Sequence, residues 1–147
     1  MTIVEHGRVA VHALPGIEHR TIAGLAHGLQ TLDVWKQRMD PGAATPPHHH
    51  HCEEVVLVLA GRGTIEIDGA AREFAAGASI VIPAGVPHRL VNTGSETLET
   101  VGIFGEAPAR AFGPDGKALA LPWDPPAFVP PGIAREQPRA DGWRMYR

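Results

Sequence analysis

A single cysteine, Cys52, is the only thiol in this chain of 147 residues. No intrachain disulfide can staple the fold, and the expected compartment is a reducing cytoplasm. Long apolar runs are missing too: no stretch approaches the ~18 residues a membrane-spanning helix needs. Basic charge is sparse and scattered, with eleven Arg and two Lys against sixteen acidic residues and a net charge of −3. That distribution argues against a nucleic-acid face or a polybasic membrane patch. Met1–Glu5 has neither the basic start nor the apolar run of a secretory signal. Finally, no sustained 3.6-residue apolar stripe occurs, which argues against a helical fold.

Glycine and proline are plentiful, at seventeen and fourteen residues. They cut the chain into short alternating or β-branched runs, as expected of an all-β protein. Strands are predicted at Thr31–Met39, Glu54–Leu59, Gly63–Asp68, Arg72–Phe74, Ser79–Ile82, His88–Asn92 and Glu99–Phe104. Asp68-Gly69 reads as a tight hairpin turn, because Gly tolerates positive φ. The expected organisation is one domain. Residues 1–30 are an irregular or β-edge lead-in with room for one short strand, residues 31–106 form a β-barrel, and residues 107–147 form an arm rich in Pro and aromatics. Proline cannot donate to a sheet ladder, so the arm is expected to pack over the barrel through Trp123, Phe128 and Trp143. A lid over the site, or an arm reaching a second subunit, is the other way to use it.

Two half-motifs carry the chemistry. The first is Gly42, five residues, His48, one residue, His50, three residues, Glu54, six residues, Gly61. The second is Gly77, five residues, Pro83, one residue, Gly85, two residues, His88, three residues, Asn92. Three imidazoles and one carboxylate suit a divalent transition metal. This spacing resembles the cupin family, whose two signature motifs are both filled. The resemblance spans residues 42–92 and implies a jelly-roll barrel, the double-stranded β-helix, with His48, His50, Glu54 and His88 as metal ligands. It also implies a homodimer paired through its sheets. Ala78 departs from the Asp common after the second motif's first glycine, which bears on a turn and not on the metal.

Alternation along an unbroken strand would aim His48, His50, Cys52 and Glu54 to one side and His49 and His51 to the other. The four consecutive histidines leave a second His-x-His pair, His49 and His51. Glu54 is fixed by its spacer to Gly61, and the alternative register would put Pro47 at a ligand position, where it cannot ligate. The same alternation turns Val56 and Val58 inward, with Ile65, Ile67, Ile80, Ile82 and Leu90 as further lining. Cys52 reads as a small apolar filler, Asn92 as the holder of a turn, and Glu53 as solvent-facing. His6, His12, His19 and His27 lack metal spacing and read as structural or surface residues.

One divalent ion per chain is expected, iron or manganese first, with nickel, zinc or cobalt as alternatives. Four protein ligands leave open positions on a six-coordinate ion, which separates a catalytic site from a closed structural one. An apolar wall suits a small, partly apolar or aromatic substrate with two oxygens. The favoured function is a non-haem iron or manganese oxygenase acting on a dicarbonyl or phenolic compound, as resemblance to the small dioxygenases of the family implies. A Lewis-acid isomerase, lyase, decarboxylase or cyclase is one alternative. A binding module without turnover is the other.

Overall fold

The computed structural model describes residues 1–125, so Phe128, Trp143 and the rest of the expected arm beyond residue 125 lie outside the described residues. Nine strands run β1 (His12–Leu14), β2 (Ile17–Ala23), β3 (Asp33–Met39), β4 (Glu54–Ala60), β5 (Arg62–Ile67), β6 (Ala70–Ala75), β7 (Ser79–Ile82), β8 (His88–Val91) and β9 (Leu98–Phe104). A six-stranded antiparallel sheet has the order β1-β2-β3-β9-β4-β7, and a three-stranded sheet the order β6-β5-β8. This is the all-β jelly-roll architecture expected of the sequence.

Period-two patterning builds the sheets. In β9 every second residue from Leu98 to Phe104 is buried. β4 buries Glu54, Val56 and Val58 in the same way. Burying one face of each sheet fixes the register, since a slip of one residue would expose the whole apolar set. Both sheets feed one core, in which Trp35, Met39, Val56, Val58, Leu98 and Phe104 of the larger sheet join Ile65 and Leu90 of the smaller. The Asp68-Gly69 turn forms as predicted, with both residues at positive φ, 50° and 75°, the backbone of a type I′ hairpin.

Two segments depart from the expected pattern. The first 30 residues hold a β1–β2 hairpin, and β2 pairs along its length with β3 through to Ile17↔Met39. Its sequence, Ile17-Glu18-His19-Arg20-Thr21-Ile22-Ala23, is too polar to read as a core strand, yet His19 is fully buried. The second is the histidine run. It is not one unbroken strand continuing into β4: His48 bridges His88, His49 bridges Phe112, and the chain bends at His51-Cys52 before β4 begins. Backbone bonding explains this, because even and odd residues have different partners. His48 exchanges both main-chain bonds with His88, while His49 exchanges both with Phe112.

Residues 107–125 lie against the larger sheet. Ala109, Ala111, Phe112, Ala118 and Leu121 are buried. Phe112 stacks on His51 at 3.8 Å, and Trp123 stacks on His19 at 3.6 Å. Among the described residues, no helix is long and apolar enough to cross a membrane.

Candidate metal and ligand site

The site begins with how each imidazole is held. The Nδ1–H of His48 donates to the Pro46 carbonyl at 2.7 Å, that of His50 to the Arg110 carbonyl at 2.7 Å, and that of His88 to the Val86 carbonyl at 2.9 Å. A carbonyl can only accept, so Nδ1 carries the proton at each bond and Nε2 is left facing inward. Tying the outer nitrogen to an oxygen is how proteins fix the tautomer and orientation of a metal-ligating histidine. Turn geometry supports the arrangement at His88. Gly85, at φ 79°, reverses the chain and donates its N–H to the His50 carbonyl, so the two half-motifs are joined by main chain as well as by side chains.

The ligating nitrogens of His48, His50 and His88 lie within 4.8 Å of one another, and these three residues could hold a metal ion. Glu54, the first residue of β4, places Oε1 3.4 Å from His50 Nε2 and 3.2 Å from His88 Nε2. All four side chains are buried. His50 Nε2 and Glu54 Oε1 are buried without a hydrogen-bond partner. Such orphaned atoms are costly in an apolar interior, and a cation between them would satisfy both. The donor set therefore fits a divalent transition metal. Burial, ahead of repulsion from neighbouring imidazoles, holds His48 well below the ordinary histidine range. Burial also lowers His50, against the pull of Glu54.

The structure brings together all four sequence-predicted residues and leaves the alternative pair outside. His49 is half-buried and His51 exposed, both packed against Phe112. Cys52 is half-buried at the edge of the core, where burial raises its thiol. Glu53 is exposed. Asn92 holds its turn, donating to the Met39 and Glu96 carbonyls and accepting from the Gly94 N–H.

A cavity of about 40 Å³ adjoins the four residues, walled by Trp35, Val56, Leu90 and Phe104, with Gln37, Thr45 and Thr100 as its other polar lining. Of the inward residues expected, Val56 and Leu90 reach this cavity, while Val58, Ile65 and Ile82 lie in the core. Gln37 is the polar residue the motifs do not mark. Its amide nitrogen donates to His19 Nδ1 at 2.9 Å, and His19 Nε2 lies 2.8 Å from Thr21 Oγ1. His19 is held neutral, burial pushing it down to about 2. With its nitrogen committed, Gln37 leaves Oε1 as an acceptor. The signal for it was the alternation of β3, which puts Asp33, Trp35, Gln37 and Met39 on one face. Gly102 completes the wall, for a Cβ there would meet Phe104 at 3.1 Å and Glu54 Oε2 at 3.6 Å.

Comparison with known proteins agrees with this architecture. The cupin domain family matches residues 35–104. Auxin-binding protein 1 of Arabidopsis thaliana is 38% identical over 108 residues, covering 67% of this chain and 54% of that protein. The chain spans about half the length of the curated relatives it matches. Among solved structures, the polyketide cyclase RemF from Streptomyces resistomycificus superposes with a TM-score of 0.64 at 25% identity, covering 74% of this chain and 82% of that one. A sugar phosphate isomerase from Silicibacter pomeroyi gives 0.67 at 21% identity, covering 78% and 82%, a likeness of fold alone. With its barrel, paired motifs and family match together, the chain belongs to the cupin superfamily.

Proposed function

We propose that His48, His50, Glu54 and His88 hold one divalent transition metal, iron or manganese first, and that the chain is an oxygenase of small molecules presenting two oxygens, such as a dicarbonyl or a phenol. One observation carries this reading. Three oriented imidazoles and a carboxylate converge on a cavity that no other titratable side chain lines among the described residues. An isomerase or decarboxylase calls for a separate acid or base to move protons. A redox reaction asks the protein for orientation and exclusion of water. When bound, such an ion supplies Lewis acidity and a redox couple.

The chain's own residues do the rest. Trp35, Val56, Leu90 and Phe104 keep water from the reacting end of a substrate. Gln37 Oε1 can accept a hydrogen bond from it. Thr45, whose Oγ1 already accepts the Leu90 N–H, keeps its hydroxyl proton free to donate. Size narrows the substrate: about 40 Å³ holds roughly three water-sized groups, enough for a chelating head and not for a polycyclic body.

A second reading is capture without turnover, favoured by the name of the auxin-binding relative and by the scarcity of acid–base groups. Metal analysis of the untagged chain comes first, beside His48→Ala/His88→Ala, which leaves His49 and His51 in place. One iron or manganese per chain, lost in the variant, supports the site. Oxygen uptake with a small dicarbonyl then supports the oxygenase. Equal turnover without oxygen would replace it by Lewis-acid chemistry, and saturable binding with no product by capture. We also propose a homodimer through the outer face of the larger sheet, where Leu59 and Val81 are exposed. A solution mass of one chain would overturn it.

A further inference from the structure

A polar row crosses the otherwise apolar inner face of the larger sheet beside the metal cavity. His19 of β2 pairs with Gln37 of β3, and Gln37 with Thr100 of β9. Gln37 and Thr100 line the cavity, while His19 stands behind Gln37 and is fully buried. On the far side of the ring is Thr21, which lines a second and larger cavity of about 680 Å³ together with Asp33, Trp123 and Asp124. The two cavities share no lining residue, and His19 lines neither. Its ring nitrogens are satisfied by Gln37 and Thr21 alone.

Donor and acceptor roles follow from that confinement. The Gln37 amide nitrogen, 2.9 Å from His19 Nδ1, can only donate, so Nδ1 accepts. The ring proton is therefore on Nε2, which donates to Thr21 Oγ1 at 2.8 Å. A protonated ring would donate at Nδ1 and turn the amide round, but burial keeps His19 neutral, pushing it down to about 2. The amide is thus held with Oε1 left for the cavity, an atom that accepts and never donates. Thr45 and Thr100 line the same cavity with hydroxyls that can serve either role. A carbonyl or carboxylate oxygen set against Gln37 Oε1 would bring two acceptors together and leave both unpaired. Charge narrows the choice further. Imidazoles ligate in their neutral form, so a divalent ion beside the Glu54 carboxylate keeps one surplus positive charge, which a monoanion cancels in a buried site.

On the metal reading of the site, we infer that it takes a 2-hydroxy acid, bound as its monoanion with the hydroxyl still protonated and donating to Gln37 Oε1, and that His19 is the positioning residue that enforces this choice. A keto acid of the same size lacks the donor, and a dicarboxylate lacks it and brings one charge too many.

The test loads the full chain with manganese, counts the metal, and titrates D-lactate, L-lactate and pyruvate at pH 8 by calorimetry without oxygen, so that nothing turns over. These acids differ only in a hydroxyl against a carbonyl beside the same carboxylate. The better lactate enantiomer is expected to bind about tenfold tighter than pyruvate, the worth of one hydrogen bond set against an unpaired acceptor. Gln37→Leu should cancel that ratio while the metal count holds. Two substitutions of His19 separate positioning from packing. His19→Asn gives up the ring that stacks on Trp123 but offers an amide oxygen near the place of Nδ1, so it should melt lower and keep the ratio. His19→Phe keeps a ring there but cannot accept, so it should lose the ratio and still hold metal. Equal affinities or tighter pyruvate in the metal-loaded parent, or a ratio that survives Gln37→Leu or His19→Phe, would overturn this inference alone. A parent chain that takes up no metal would overturn the metal reading with it.

Discussion

The two cavities flank the same aromatic layer and treat buried polar groups in opposite ways. In the small cavity every imidazole has its outer nitrogen bonded to a carbonyl, and the unpaired buried atoms of His50 and Glu54 face each other at 3.4 Å. In the large one, two carboxylates stand in a mostly apolar wall, Asp33 accepting the Ala109 N–H and Asp124 the Leu121 N–H. The first arrangement is organised around a single point, as a fixed ion requires. The second sets two titratable groups beside an apolar cavity, and burial raises both above the ordinary carboxylate range. Main-chain carbonyls orient the imidazoles in the first, so that orientation does not depend on the side chains of Arg110 and Val86.

The sharpest way to break that contrast is to remove a ligand. His88→Ala should lower metal affinity by more than about a hundredfold, beyond the 10–100-fold typical of outer partners. Arg110→Ala is the control, since His50 is oriented by the Arg110 carbonyl and not by its side chain. Metal content by elemental analysis should stay near one per chain. Loss of metal in Arg110→Ala would mean that the guanidinium and its ion pair with Glu106 matter to the site.

His19 belongs to the layer between the cavities, and its removal should disturb both. The ring stacks on Trp123, lies edge-on to Trp35 at 5.2 Å and anchors Gln37. His19→Ala should destabilise the fold by about 3 kcal/mol, in the range for emptying a packed core position, and should free Trp123 and Gln37 together. Thermal unfolding and tryptophan fluorescence check this. An unchanged melting temperature would show that the stack is dispensable. Gly102→Ala should act on the small cavity alone. Its Cβ enters the wall at Phe104, so ligand affinity at the metal site should fall several-fold while the melting temperature moves by only a few degrees.

How much of this the sequence reveals depends on which force writes the signal. The convergence of His48, His50, Glu54 and His88 is legible because the two half-motifs set donor types of the kind a divalent metal takes at fixed spacing. The barrel strands are legible because burial on one face imposes a period of two. β2 is not, because its central buried residue is a histidine whose burial makes sense only once Gln37 and Thr21 satisfy both ring nitrogens. The bend at His51-Cys52 is hidden for a related reason, since the main-chain partner of His49 is Phe112, more than sixty residues away. The second cavity leaves no spacing to read: Asp33 and Asp124 lie far apart in the sequence, and only the fold brings both into one wall.

The smallest effect tests the strain in that wall. Asp124 titrates near 7 in the folded chain against 3.8 as the unperturbed value. The folded state therefore binds more protons than the unfolded state between about pH 4 and 7, and stability contributed by this group falls as pH rises through that window. Asp124→Asn removes the titration. Its gain in melting temperature over the parent chain should be absent near pH 4, grow toward pH 7 and level off above it. The shift should stay modest, because the carboxylate is only partly buried and solvent screens it.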